Sequence, residues 1–130
     1  MTPTPQRKPT EAEMSILAVI WECRRATVRE VHEALSSSQE VGYTTILKLM
    51  QIMTEKGLLE RDASVRPQVF WARRPRKQTQ KMLLKDLVER AFSGSPGSLV
   101  LQALSMERTS PEELAEIREL LDQLEEGGAR

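Results

Sequence analysis

The stretch VGYTTILKLMQIMTEK, residues 41–56, has two separable faces and decides the predicted fold. Apolar residues recur at i, i+3, i+4 and i+7, the spacing of a helix with one buried stripe. They are Ile46, Leu49, Met50 and Met53. The other face carries hydroxyl, ammonium and amide groups, on Tyr43, Thr44, Thr45, Lys48 and Gln51. Such groups reach phosphates and base edges in a major groove, which favours the recognition helix of a helix-turn-helix. Taken alone, the stretch also fits an ordinary amphipathic core helix.

Gly42 and Gly57 stand at the two ends of this stretch, and Gly57 is predicted to be a left-handed C-cap. Two capping boxes predict two earlier helices: TEAE at residues 10–13 and TVRE at 27–30. The predicted buried residues are Met14, Leu17, Ala18 and Trp21 in the first helix, and Val31 and Leu35 in the second. Free amides, the helix dipole and the side chains of Thr27 and Arg29 predict phosphate contacts at the start of the second helix.

Beyond Gly57 the periodicity changes to short extended runs, at residues 58–61 and 68–72, separated by a turn. Three helices followed by a β-hairpin is the arrangement of a winged helix. Arg66 lies near the predicted hairpin tip, where a cation can contact the DNA backbone or the minor groove. Phe70 and Trp71 are predicted to point to opposite faces of the hairpin.

The C-terminal part of the chain reads as three short helices. They span residues 77–92 and 98–104 and a segment that begins at Ser110 with SPEE. They are too short to form a core of their own, so their apolar stripes need a partner. A second copy of the chain is the simplest partner, and packing back on the first domain is the alternative. The predicted dimerisation residues are Leu84, Leu87, Val88, Ala91, Phe92, Leu101, Leu104, Leu114, Ile117 and Leu121.

These elements predict a mainly α protein with a small β-hairpin. An N-terminal winged helix-turn-helix is followed by a C-terminal helical dimerisation region. The predicted boundaries are a disordered tail at 1–8, a winged-helix DNA-binding domain at 9–74, the dimerisation region at 75–126 and a frayed C-terminus at 127–130. The basic run at 73–77 between the two domains is interpreted either as a solvated linker or as a phosphate contact.

Composition narrows the class of protein. At 130 residues with 39% hydrophobic content, the chain has room for one modest core. The single cysteine, Cys23, excludes an internal disulfide framework and a cysteine-clustered metal site, and it fits a reducing, cytoplasmic compartment. We interpret Cys23 as a partly buried structural thiol and the single histidine, His32, as a surface or edge residue. No apolar run approaches the roughly 18 residues of a membrane span, so membrane insertion is not expected.

The net charge of zero conceals an asymmetry along the chain. Residues 1–81 hold 14 Lys and Arg against 9 Asp and Glu, whereas residues 82–130 hold 5 against 10. A basic front half favours a polyanionic partner. No nucleophile with a base, paired carboxylates, glycine-rich phosphate loop or metal-ligand cluster is found, so neither an enzyme nor a cofactor or metal is predicted. The competing class is a winged helix that binds another protein without specific DNA binding.

The chain resembles the penicillinase-repressor (BlaI/MecI/CopY) family of bacterial winged-helix transcriptional repressors. The resemblance runs from Pro9 to Glu125. It is carried by ATVREV (26–31), by YTT (43–45) through EKGL (55–58), and by SLVL (98–101) followed by SPEEL (110–114). It implies a homodimer that binds double-stranded, pseudo-palindromic operator DNA and blocks a promoter.

Several positions depart from the family pattern. Ile52 stands where relatives often have an arginine, and Val65-Arg66-Pro67 replaces the usual wing glycine before arginine. The cysteine cluster of the copper-sensing branch is missing. In the β-lactam-responsive branch, a protease coupled to a membrane sensor cuts an Asn-Phe bond, and this chain has Gln102-Ala103 at that place. The resemblance therefore implies the repressor architecture but leaves the inducing signal open.

Overall fold

The computed structural model describes residues 8–127 of the chain. Most of the predicted N-terminal tail (1–7) and of the predicted frayed C-terminus (128–130) lies outside the described residues. The described part forms six helices: α1 (Glu11–Cys23), α2 (Val28–Ser36), α3 (Tyr43–Glu55), α4 (Arg76–Ala91), α5 (Pro96–Met106) and α6 (Pro111–Gly127). Strands β1 (Leu59–Asp62) and β2 (Val69–Ala72) form one antiparallel hairpin. The predicted class, mainly α with a small β-hairpin, is confirmed.

The described residues divide into two compact units, 8–84 and 85–127, and the boundary falls within α4. The first unit holds α1 to α3 and the hairpin, which is the winged-helix order. The second holds the end of α4 together with α5 and α6. The boundaries predicted from the sequence, 9–74 and 75–126, stay a prediction.

The hydrophobic core of the first unit brings its three helices and the hairpin together. The buried apolar residues are Ile16, Leu17, Ile20, Ala26, Val28, Val31, Leu35, Ile46, Met50, Met53, Leu58, Leu59 and Phe70. The predicted stripes of α2 and α3 are among them, apart from Leu49, which is half-buried at the edge of the core. The predicted stripe of α1 was wrong in part. Leu17 is buried, and Met14 and Trp21 are half-buried against the core. Ala18 is exposed, because α1 turns Ile16 and Ile20 into the core instead.

The capping boxes predicted for the first two helices are both present. Thr10 Oγ1 accepts from the Glu13 amide, and Glu13 Oε1 accepts from the Thr10 amide; Thr27 and Glu30 make the same pair at the start of α2. Gly57 follows α3 with φ +84°, as predicted from its place after the last periodic residue. These ends form as expected because each depends on residues within three or four positions of one another.

A third extended segment joins the hairpin and was not predicted. Ala26 pairs with Phe70: the Ala26 amide donates to the Phe70 carbonyl at 3.0 Å, and the Phe70 amide donates back at 2.8 Å. The connection between α1 and α2 is therefore held against β2. This pairing sets the start of α2 relative to the hairpin.

An ion pair joins the start of α1 to the end of α3. Lys56 Nζ donates to both carboxylate oxygens of Glu13, at 2.8 and 2.9 Å, and the Glu13 side chain is only 3% exposed. Burial by itself would raise the pKa of the Glu13 carboxyl. The hydrogen bonds from Lys56 and Thr10 and the positive charge of Lys56 outweigh burial, so the pKa lies below its ordinary value. The pair therefore stabilises the folded position of α3.

Cys23 is exposed at the last residue of α1, so the predicted partly buried thiol was wrong. The sequence pattern could not predict the exposure of the Cys23 thiol. The buried stripe of α1 ends at Ile20, and the helix then ends with a C-cap at Arg24, which has φ 70°.

Candidate nucleic-acid interface

The polar face predicted for α3 is solvent-exposed. Tyr43, Thr44, Thr45, Lys48 and Gln51 are all exposed, and Tyr43 shows 45% of its surface. The opposite side of the same helix carries the buried core residues. The helix therefore has a row of hydroxyl, ammonium and amide groups available to a partner while its other face holds the fold together.

The N-terminus of α3 is open and electropositive. Gly42 is the N-cap and makes no side-chain capping bond, and the first turn contains no acidic residue. The first amides of a helix have no intrahelical acceptor, and the helix dipole is positive there. An anionic group such as a phosphate would satisfy both features.

The N-terminus of α2 has fewer free backbone amides than predicted. The amides of Thr27 and Glu30 are already bonded within the capping box, and Thr27 Oγ1 accepts one of those bonds. The hydroxyl hydrogen of Thr27 and the exposed guanidinium of Arg29 remain as donors toward a phosphate. The predicted phosphate contact therefore keeps these two side chains as donors, while the capping box takes up two of the amides at this helix start.

A cleft of about 490 Å³ brings these elements together with the hairpin. Four predicted site residues line it, namely Thr27, Arg29, Tyr43 and Gln51. The remaining lining residues are Val28, Leu47, Pro67, Gln68 and Phe70. Pro67 and Gln68 were not predicted, and they place the base of the wing beside α3. Their only sequence signal was their position beside Arg66.

The structure leaves the other predicted residues outside this cleft. Thr44, Thr45 and Lys48 lie on the exposed face of α3, and Arg66 is exposed in the hairpin turn. That turn is ordered by Asp62, whose carboxylate accepts from the hydroxyl and the amide of Ser64. These two hydrogen bonds lower the pKa of Asp62. Arg66 therefore extends from a structured turn.

The basic run at residues 73–77 is largely engaged within the first unit. Arg73 pairs with Glu60 at 3.8 Å, Arg74 donates to the Gly57 carbonyl at 3.2 Å, and Arg76 lies 3.3 Å from Glu22. These contacts give the run a structural role and weaken its interpretation as a phosphate contact.

Two cation–π contacts were missed from the sequence. The Arg25 guanidinium lies 4.5 Å from the centre of the Trp71 ring, and that of Arg76 lies 5.4 Å from the Trp21 ring. Trp71 also donates from its indole nitrogen to Glu60 at 3.2 Å. Phe70 is buried while Trp71 faces outward, as predicted from strand alternation.

The predicted dimerisation residues expose much of their apolar surface in the single chain. Leu84, Leu87, Leu101, Leu104 and Leu121 range from 38% to 71% exposed. Ala91 is exposed, whereas Val88, Phe92, Leu114 and Ile117 are half-buried. Neither α5 nor α6 contains a buried residue. These helices therefore leave apolar faces uncovered within one chain.

Residues 8–127 offer neither a metal site nor a membrane span. No cluster of three or more His, Cys, Asp or Glu side chains suited to a metal ion occurs in that range. No helix within it is both long and apolar enough to cross a membrane.

Comparison with known proteins identifies the family. The sequence signature described as "Penicillinase repressor" matches residues 9–123, which covers the winged helix and most of the C-terminal helices. The chain belongs to the penicillinase repressor family. This membership agrees with the winged-helix order of its first unit.

Several known proteins are similar to this chain over nearly their whole length. The transcriptional regulator BlaI of Mycobacterium tuberculosis (strain ATCC 25618 / H37Rv) is 28% identical over 119 residues, 90% of this chain and 85% of the relative. The penicillinase repressor of Bacillus licheniformis is 24% identical, over 88% of this chain and 89% of the relative. The methicillin resistance regulatory protein MecI of Staphylococcus aureus (strain N315) is 21% identical, over 87% of this chain and 92% of the relative.

Proposed function

We propose that this protein is a dimeric, sequence-specific repressor that binds a pseudo-palindromic operator in double-stranded DNA and excludes polymerase from a promoter. The observation that carries the proposal is the exposed polar face of α3 beside the open N-terminus of that helix. Family membership and the names of the relatives, transcriptional regulator and penicillinase repressor, support the same role.

Recognition is divided between base and phosphate contacts. Tyr43, Thr44, Thr45, Lys48 and Gln51 enter the major groove, where hydroxyl and amide groups read base edges. Thr27 and Arg29 bind phosphate from one side of α3, and Arg66 binds the backbone or the minor groove from the wing. The cleft of about 490 Å³ between α2, α3 and the base of the wing gives the sugar-phosphate backbone a place to lie.

Dimerisation supplies the affinity that one small module lacks. The uncovered apolar faces of α4, α5 and α6 pair with those of a second copy. Two recognition helices then span half-sites about one or two turns of DNA apart, and the second contact becomes intramolecular. The proposal also places the protein in the bacterial cytoplasm. It assigns the release of the protein from its operator to a protease coupled to a membrane sensor. Gln102 and Ala103 lie on α5 and are exposed there.

The alternative, a winged helix that binds another protein, is less well supported. Protein interfaces concentrate aromatic anchors. On the proposed contact face Tyr43 is the aromatic side chain, and its neighbours on α3 are hydroxyl, ammonium and amide groups.

The first experiment selects DNA from a random pool. The purified chain is incubated with random duplexes, and the retained molecules are sequenced. A triple variant, Tyr43→Ala/Thr44→Ala/Thr45→Ala, removes the start of the contact face, and Glu125→Ala, at an exposed position of α6, is the control. We expect an enriched inverted repeat with the wild type and the control but not with the triple variant. Absence of enrichment, or enrichment that survives the triple substitution, would reject the proposed recognition helix.

A further inference from the structure

His32 makes two contacts across the helix-turn-helix and one contact within α2. It lies half-buried on α2, and its Nε2 atom lies 2.9 Å from the carbonyl oxygen of Val41. The same nitrogen lies 3.2 Å from Ser36 Oγ. The ring packs edge-on against Tyr43, with 5.8 Å between centroids and an interplanar angle of 76°. His32 therefore touches the residue that precedes the N-cap of α3 and the first residue of that helix.

The chemistry of the acceptor determines which imidazole nitrogen carries the proton. The Val41 carbonyl can only accept, so Nε2 must carry a hydrogen and donate it. A protonated Nε2 has no free lone pair, so Ser36 Oγ can only act as a second acceptor at that nitrogen. The bonded Nε2 is also unable to bind a metal ion. Its role in this geometry is that of a fixed donor.

The start of α3 has no local side-chain cap, and the bond from His32 holds the preceding Val41 carbonyl without satisfying the free amides of the first turn. Gly42 offers no side chain to cap the helix, in contrast to Thr10 and Thr27 at the starts of α1 and α2. Residues 36–40, which lead into α3, are all exposed. The hydrogen bond from His32 spans nine positions in sequence and anchors the chain at the point where the polar face begins.

We infer that His32 is a positioning residue for DNA recognition, which holds the first turn of α3 and the Tyr43 ring in the geometry that reads base edges. The inference rests on the proposed DNA-binding function. Base contacts require placement within about half an ångström, and this placement depends on supporting hydrogen bonds. Phosphate contacts position the protein without reading sequence. Loss of the His32 bond should therefore weaken specific binding much more than non-specific binding.

A set of matched variants separates the donor from the ring. His32→Ala removes both, His32→Gln restores an N–H donor near the place of Nε2, and His32→Phe keeps an aromatic ring without a donor. Glu33→Gln, at the next and exposed position of α2, is the control. Urea unfolding of each variant establishes that it is folded, and if His32→Ala fails to fold, the Gln and Phe pair decides the question.

The dissociation constants are measured for the duplex enriched by the wild type and for a scrambled duplex of the same composition, over a range of salt concentrations. We expect His32→Ala and His32→Phe to weaken binding to the enriched duplex by roughly threefold to tenfold, the value of one hydrogen bond. Binding to the scrambled duplex and the salt dependence should not change. His32→Gln should recover most of the loss.

Three results would overturn the inference while the proposed function stands: unchanged discrimination in His32→Ala, equal weakening on both duplexes, or wild-type behaviour of His32→Phe. A wild type that fails to distinguish the enriched from the scrambled duplex would instead reject the proposed function, and the inference with it.

Discussion

Lys56 and Glu13 show how one side-chain pair secures the recognition helix. The two residues lie 43 positions apart, yet Lys56 Nζ contacts both oxygens of a carboxylate that is almost fully buried. Glu13 also completes the capping box with Thr10. One carboxylate thus fixes the start of α1 and the end of α3, and its charge matters to the stability of the first unit.

Glu13→Gln should destabilise the chain in a pH-dependent way. The pKa of Glu13 is lower in the folded state than its ordinary value of 4.5, so the ion pair contributes fully above that value and is lost as the pH falls through the folded pKa. We expect a loss of about 1–3 kcal/mol at pH 7 that shrinks as the solution is acidified below the ordinary pKa. Urea unfolding on both sides of that value measures it, with Glu11→Gln, an exposed residue of the same turn, as the control. An equal loss in both conditions would contradict the assignment.

Arg29 and Thr45 should affect DNA binding in different ways. Arg29→Ala should weaken binding to all duplexes alike and reduce the slope of log affinity against log salt by about 1, because it removes one phosphate contact. Thr45→Ala should cost about 1–3 kcal/mol on the selected duplex only, because it removes a base contact. Fluorescence anisotropy titrations at several salt concentrations distinguish the two. If Arg29→Ala changed sequence preference and kept the salt slope, its assignment as a phosphate contact would be wrong.

At the scale of secondary-structure elements, the joint between α3 and the hairpin sets the direction of the wing. The Gly57 amide donates to the Thr54 carbonyl at 3.1 Å, and the Leu58 amide donates to the Met53 carbonyl at 2.8 Å, which closes the helix. The Gly57 carbonyl then accepts from Arg74. The left-handed backbone at Gly57 is what allows the chain to leave α3 and enter β1 directly.

Gly57→Ala should destabilise the first unit by about 1–2 kcal/mol, because a Cβ is disfavoured at φ +84°. The added Cβ would also lie 3.1 Å from Arg73 Nη1, which can move aside, so backbone strain should dominate. Gly97→Ala, within α5, is the control, because φ is not positive there and no atom lies within 4 Å of the new Cβ. Urea unfolding compares the two variants. Equal stability changes would show that the left-handed conformation is not what requires glycine at position 57.

The elements also show where prediction from sequence stops. The helix starts at Thr10 and Thr27 and the two faces of α3 were predictable, because they depend on neighbours within one or two turns. The rotation of α1 about its own axis was not predictable, because Ile16 and Ala18 both fit an apolar stripe. The elements that pack against α1 decide which of the two side chains faces the core. The pairing of Ala26 with Phe70 had no local signal at all.

At the scale of the whole molecule, the two units differ in the chemistry of their exposed surfaces. The first has its own core and a polar, cation-bearing face. In the second, α5 and α6 expose apolar side chains and bury none. An uncovered apolar surface of this kind marks an interaction site. We therefore expect the second unit to be completed by a second copy of the chain.

Leu121→Glu should dissociate the proposed dimer. The side chain is 52% exposed in one chain and belongs to the predicted stripe of α6, so a carboxylate there would be desolvated on pairing. Ala115→Glu, also exposed on α6 but on a different face by helical spacing, introduces the same charge as a control. Light scattering after size exclusion should give the mass of one chain for Leu121→Glu and of two for the control. A dimer that survives Leu121→Glu would place the interface elsewhere.

The amino-acid sequence by itself determined the element order, the helix caps and the polar face of α3, because these follow from interactions over a few residues. Tertiary structure alone decided the Glu13–Lys56 pair, the exposure of Cys23 and the bond from His32 to Val41. Each of these depends on how elements distant in sequence pack together. The physical reason is that local spacing specifies the face of a helix or strand on which a side chain lies. Only the packing of the elements specifies which other residues that face contacts.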